Sequence, residues 1–395
     1  MVDGLGGIPE RNSIMTVADG RISAIEPAAY SSEFDLDYPT GTLMPGFIDV
    51  HAHFTFNLGT RTYEQLMAEA SDDELVEQGV DNCRLHALSG VTSARDAGAR
   101  GDTALRLRRL TNETGVIAPF LQVSGPPITT KRGHFWFCGG EAEGPTGVRE
   151  LTRRLIAQGV DFIKVMASGG GTRGTDSNRA AFTADEIKAA VSEAHGADIQ
   201  VMAHCLSADS VVTALDAGVD EIEHINFLQP DGSRFMSDEI ADRIAASGVF
   251  VSPTIQTGYR ELEALRAIAS PTDVQLRDRH ALGYKLETKL GFVAALHRRG
   301  ARIVAGTDAL GNFGDYALGL ELLVRAGLSP LEAIASGTSV AAKATVRSKA
   351  VGTIEVGKQA DLVVVDGNAA GDVARCQHVL LAMRAGHQLS VGTTT

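Results

Sequence analysis

The run FIDVHAHF, residues 47–54, ends on two histidines spaced two apart, His51 and His53. In an extended strand residues i and i+2 face the same side, so both imidazoles can reach one ion, and neutral imidazole is a good zinc ligand. Taken alone, the same pair suits an exposed loop equally well. Further runs of apolar type also carry ionisable groups: Lys164 in VDFIKVMAS, His204 in IQVMAHC, His224 in EIEHINF and Asp308 in ARIVAGTDA. Such groups cost free energy in an apolar setting unless they are paired or bind a metal. Their recurrence in separate runs predicts one shared polar site. Competing chemistries lack their motifs, since there is no GxSxG elbow, no P-loop and no GxGxxG opening a helix. The GGG at 169–171 is followed by TRGTDSNRAAF and reads as a loop.

Eight apolar β-type runs must position these groups: 46–54, 91–99, 118–125, 160–168, 199–205, 221–227, 250–257 and 301–309. Amphipathic segments separate them. In TADEIKAAVSEAH, Thr183 and Glu186 have capping-box spacing, and in SPLEAIAS Ser329 precedes Pro330 at a first helical position. Eight strand-helix units predict an α/β fold, a (β/α)8 TIM barrel over residues 46–349. The ends read differently. SIMTVADGRISAIEP (13–27) is a hairpin with D-G at its turn, and 352–368 and 378–391 are strands with glycine-containing turns. Residues 1–45 and 350–395 are therefore expected to form a small β-sandwich domain from both termini. Long loops follow runs three, four and eight, and barrel chemistry is expected there.

Composition narrows the class. Hydrophobic residues make up 44% and charged residues 22%, the balance of a soluble globular protein, and a net charge of −13 argues against a nucleic-acid surface. No window approaches 18 uninterrupted apolar residues, and MVDGLGGIPE has neither a basic nor an apolar leader region, so no membrane partner and a cytoplasmic location are expected. Cys83, Cys138, Cys205 and Cys376 lack CxxC spacing and are expected to be free thiols.

The strings LMPGFIDVHAHF, FIKVMASGG, VMAHCLSADSVVTALDAGVDEIEH, IVAGTDA and VGTIEVGKQADLVVVDG together resemble the amidohydrolase superfamily, specifically its binuclear imidazolonepropionase-like and prolidase-like branch. The resemblance spans nearly the whole chain. It implies two divalent metal ions of zinc type, with His51 and His53 on the more buried ion. Lys164 is then carboxylated by carbon dioxide and bridges both ions, while His204 and His224 hold the more exposed one. Asp308 completes the buried site and carries protons as general base, then general acid. Two ions sharing a water would generate hydroxide at neutral pH and polarise a substrate carbonyl. A buried lysine near dications loses its proton, and the free amine can take up carbon dioxide to become an anionic carbamate.

Around that centre, similar family members place a histidine where His134 stands, hydrogen-bonded to the substrate carbonyl. Tyr259, after the seventh run, is a candidate for the same oxygen or a substrate carboxylate. Arg132 and Arg173 are candidate anchors for an anionic substrate end, Trp136 a candidate pocket wall, and Asp49 a candidate orienter of a ligand. The implied activity is hydrolysis of an amide C–N bond in a small molecule, of dipeptide or N-acyl amino acid type, by a homo-oligomer. Alternatives are a cyclic amide hydrolase acting on imidazolones or lactams, a carbamate or urea hydrolase, or a mononuclear deaminase. Deaminases and imidazolonepropionases typically carry HxxE after strand five, where this chain reads HCLSAD. A non-catalytic assembly protein on the same fold would lose metal ligands, yet all six positions are filled. Related chains usually have another strand before the DG at positions 3 and 4, which leaves the first strand of the small domain in doubt.

Overall fold

The structure is a computed structural model and describes residues 1–10, 13–27, 34–57, 59, 61–112 and 116–391. The last four residues of the expected C-terminal segment lie outside these. The chain divides into two compact units, Met1–Pro126 with Ala309–Val324 and Leu328–Thr395, and Pro127–Asp308 with Arg325–Gly327.

In the first unit, β1 (Ser13–Ala18) and β2 (Arg21–Pro27) form the expected antiparallel hairpin. Its turn residues Asp19 and Gly20 both have positive φ, 50° and 74°, which matches the right-handed twist of the strands. β3 (Gly41–Pro45) pairs with β12 (Leu362–Asp366), and β13 (Val379–Arg384) and β14 (His387–Val391) extend this antiparallel sheet. Hairpin and sheet share one core, in which Ile22 packs with Leu362, Val364 and Leu381. A parallel three-stranded sheet completes the unit: β4 (Phe47–Ala52), β5 (Val91–Asp96) and β6 (Phe120–Val123). Every residue of β4 and β5 is buried, as a strand covered on both faces requires. Gly46 joins β3 to β4 because a Cβ there would stand 2.3 Å from the Thr92 side chain.

The second unit holds five parallel strands in chain order: β7 (Phe162–Met166), β8 (Gln200–Ser207), β9 (Glu221–Leu228), β10 (Phe250–Ser252) and β11 (Arg302–Ile303). The Thr183–Glu186 capping box opens helix Ala184–Gly196, as its spacing predicts. All eight expected strands are thus present, in parallel sheets of three and five within a mixed α/β fold. The last two are shorter than expected. Pro253 has no N–H to continue the ladder, and Thr254 turns to φ 42°. The eighth run leaves the ladder once Val304 N–H has reached Val251 O at 2.9 Å. All four cysteines are free and buried, and among the described residues no helix is long and apolar enough to cross a membrane.

Candidate metal centre

In the first unit, the alternation of β4 and its extension bury both histidines of the opening run, with His51 1% and His53 3% exposed. Their ring centroids are 5.3 Å apart. His53 Nδ1 lies 2.9 Å from the Gly98 carbonyl, so that nitrogen must carry the proton, leaving an Nε2 lone pair for a metal. Asp49 stands two residues before His51 on the same strand. Its Oδ1 accepts the His51 backbone N–H at 3.0 Å, while Oδ2 pairs with His86 Nε2 at 2.8 Å. Asp49 and His86 are both fully buried. His86→Leu would take the imidazole away from the buried Asp49 Oδ2, so a loss of about 3–5 kcal/mol in unfolding free energy is expected in urea denaturation, with Asp49→Asn/His86→Leu losing less. Beside them Asp96 accepts the N–H groups of Phe54 and Gly98. Burial pushes its carboxyl up to about 6, with His53 opposing the shift.

In the second unit the neighbouring strands β8 and β9 carry His204 and His224, and the segments after β6 and β11 bring His134 and Asp308 into the same row. His134 and His204 have ring centroids 4.7 Å apart, and His204 and His224 are 4.4 Å apart. His224 Nδ1 stands 3.9 Å from Asp308 Oδ2. Each ring has a hydrogen-bond partner that fixes its orientation. His134 Nδ1 meets Thr172 Oγ1 at 2.8 Å, His204 Nε2 meets Gly169 O at 3.0 Å, and His224 Nδ1 meets Thr254 Oγ1 at 2.8 Å. The GGG run now has a reason, because a Cβ at Gly170 would sit 2.4 Å from His134 Nε2. Positive φ values recur at His224 (70°), Ile225 (44°), Thr254 (42°) and Asp308 (54°). For β-branched Ile225 and Thr254 this is a costly backbone state, of the kind that persists where a site requires it.

Lys164 is 1% exposed on β7, in register with Met202 of β8, whose sulfur is 3.6 Å from its Nζ. Burial pulls its pKa below the usual lysine range, while Glu223, Asp308 and Glu221 pull the other way. The chain then runs from Asp308 into Ala309, which bridges to Ala52 and whose carbonyl accepts the His53 N–H at 3.0 Å. His51, His53 and Asp308 form a group of three potential metal ligands, with donor atoms within 4.8 Å of one another. Buried imidazoles with a fixed proton and an adjacent carboxylate are the donors a zinc-type ion takes.

Tyr259 opens helix Tyr259–Ala267 and gives its backbone N–H to Gln256 O; no described contact joins its ring to the histidines. Arg132 and Arg173 are exposed, and Arg132 lies over the Trp136 ring at 5.6 Å. Several of these hydrogen-bond partners carry no local sequence signal. Thr172 and Thr254 look like ordinary loop threonines, and His86 sits 37 residues from Asp49 inside an amphipathic helix. Thr254→Val would free His224 from its orienting hydroxyl, and zinc affinity is expected to fall about 10–100-fold in chelator competition.

Residues 42–388 match the sequence profile of the Amidohydrolase family. The chain belongs to the amidohydrolase family. It is an enzyme, a hydrolase acting on C–N bonds. Ochratoxinase from Aspergillus niger is 26% identical, with 93% of this chain and 80% of that protein covered. Imidazolonepropionase from a Shewanella species (strain ANA-3) is 24% identical over 90% of this chain and 86% of its own length. The crystal structure of a Xaa-Pro dipeptidase with methionine bound in its active site superimposes with a TM-score of 0.83, at 25% identity over 98% of this chain and 97% of that one. In this amidohydrolase the substrate is a small molecule.

Proposed function

We propose that this amidohydrolase is a two-metal enzyme that cleaves the amide bond of a dipeptide or N-acyl amino acid, releasing a free amino acid. The row His134, His204, His224 and Asp308, beside buried Lys164, carries this reading. His51, His53 and Asp308 would hold one ion, and His204 and His224 the other, with Lys164 carboxylated between them. In this reading the two sheets close into one (β/α)8 barrel and the terminal strands form a β-sandwich on it. Bound zinc would supply Lewis acidity and lower the pKa of water. The chain supplies the rest. Asp308 takes a proton and returns it to the leaving nitrogen, and His134, held by Thr172, donates toward the substrate carbonyl from Nε2. Tyr259 is kept as a contact for substrate. A cytoplasmic homo-oligomer completes the proposal.

Similarity to imidazolonepropionase supports a second reading, hydrolysis of a cyclic amide. Against it stands Ser207, which occupies the position of the glutamate in HxxE and instead caps helix Ala208–Ala217 by accepting from Ser210 N–H at 3.2 Å. The test is a screen of zinc-loaded protein against dipeptides, N-acyl amino acids, imidazolones, lactams, phenylureas and carbamates. Release of free amino acids from the first two classes is the expected result. Turnover confined to the ring compounds would replace this reading with the second.

A further inference from the structure

Helix Asp273–Arg298 buries the stripe Leu286, Leu290, Val293 and Leu296, and Lys289, only 4% exposed, stands in the same stripe. Lys285 lies one turn earlier on that face. The helix is seated on β9 through Phe292 against Phe227, 5.1 Å between ring centroids. Both lysines therefore point at the loop that follows β10. Lys289 Nζ donates to Pro253 O at 2.8 Å, and Lys285 Nζ is 3.9 Å from where a Cβ would stand on Gly258. A third cation, Arg234, reaches in from the loop after β9, with Nη1 3.4 Å from Asn226 O.

None of the three makes an ion pair with a carboxylate among the described residues. Their charges act on one another instead: burial lowers all three pKa values, and Arg234 and Lys285 lower Lys289 further. Asp308, Glu261 and Tyr284 oppose this. The end of β9 and the loop after β10 hold uncharged polar groups with no partner. Gln256 is 3% exposed with both side-chain polar atoms unbonded, and Asn226 is 6% exposed with Oδ1 unbonded. Buried donors and like charges left unsatisfied cost several kcal/mol between them, roughly 1–3 for each polar group, unless something fills the space between them.

We propose that Arg234, Lys285 and Lys289 form an anion subsite, lined by Gln256, that takes the carboxylate of the substrate. Its place in the chain favours substrate over a remote effector. Asn226 is two residues beyond His224, and Gln256 two residues beyond Thr254, the hydroxyl that orients His224. This inference rests on the amide-hydrolase reading and gives it a substrate class, an amide whose leaving side ends in a carboxylate. The neutral amides, lactams and phenylureas of the wider family lack that group.

A suitable probe is 3-benzoylpropionate, in which a methylene replaces the amide nitrogen of N-benzoylglycine so that nothing can be cleaved. Its primary amide is the neutral counterpart. Binding of each to zinc-loaded protein is measured by calorimetry for the wild type, Arg234→Met and Lys285→Met, with thermal unfolding and zinc content as checks on folding. The acid is expected to bind at least about 10-fold more tightly than the amide, and either substitution to remove that difference. Equal binding of acid and amide, absence of binding, or full selectivity in both folded variants overturns the subsite. The two readings fail separately. Acid-selective binding without hydrolysis of any dipeptide or N-acyl amino acid would end the proposed activity and leave the subsite standing, whereas hydrolysis without acid selectivity would do the reverse.

Discussion

Replacing Lys164 with alanine is expected to lower kcat/KM at least about 1,000-fold, roughly 4 kcal/mol of transition-state stabilisation, and to reduce zinc from two ions per chain to one. The argument begins with burial. A lysine 1% exposed between Ile163 and Val165 is held below its usual pKa by desolvation, so more of it is the free amine at neutral pH. A free amine adds to carbon dioxide, forming an N–C bond and releasing one proton. The product is a carbamate with two oxygens where an ammonium stood. That change of sign turns a group that repels cations into one that joins them. Alanine removes both oxygens but leaves β7 and its neighbours in register, so folding by circular dichroism is expected to be unchanged. Added acetate or propionate can enter the vacated space and should restore part of the activity. Two zinc ions and full activity in Lys164→Ala would sink the two-metal reading.

Much of this was legible because ionisable residues are rare in apolar strands. Lys164, His204 and His224 betray themselves by their neighbours, and alternation then dictates which face they share. The eight strands follow from the same contrast between period 2 and period 3.6. What stayed hidden depends on pairings between distant residues. Asp49 is readable as an orienter of the His51 strand, but its partner His86 is not, since nothing local distinguishes that histidine from a solvated one. Strand ends were hidden too. The positive φ at Thr254 is imposed by tertiary structure on a β-branched residue whose own preference is otherwise, so propensity misplaces where β10 stops. Lys289 did carry a signal, a charge inside the Leu286–Leu290–Val293 stripe.

Asp308→Asn separates proton transfer from metal binding in a way that Lys164→Ala cannot. Asparagine keeps the shape and one oxygen acceptor, so the group formed with His51 and His53 retains three ligands and zinc content is expected to fall little. What it loses is basicity. Asp308 faces the His224 ring at 3.9 Å, too far for a hydrogen bond, while His224 spends Nδ1 on Thr254. With no base to take the proton during attack and none to return it to the leaving nitrogen, kcat is expected to drop about 100- to 10,000-fold with KM nearly constant. Substrates with a better leaving group should lose less, because they need less protonation of nitrogen. A uniform loss across leaving groups together with loss of zinc would show instead that Asp308 acts only as a ligand, and proton transfer would have to be assigned to another residue of the row, His134 being the nearest in kind.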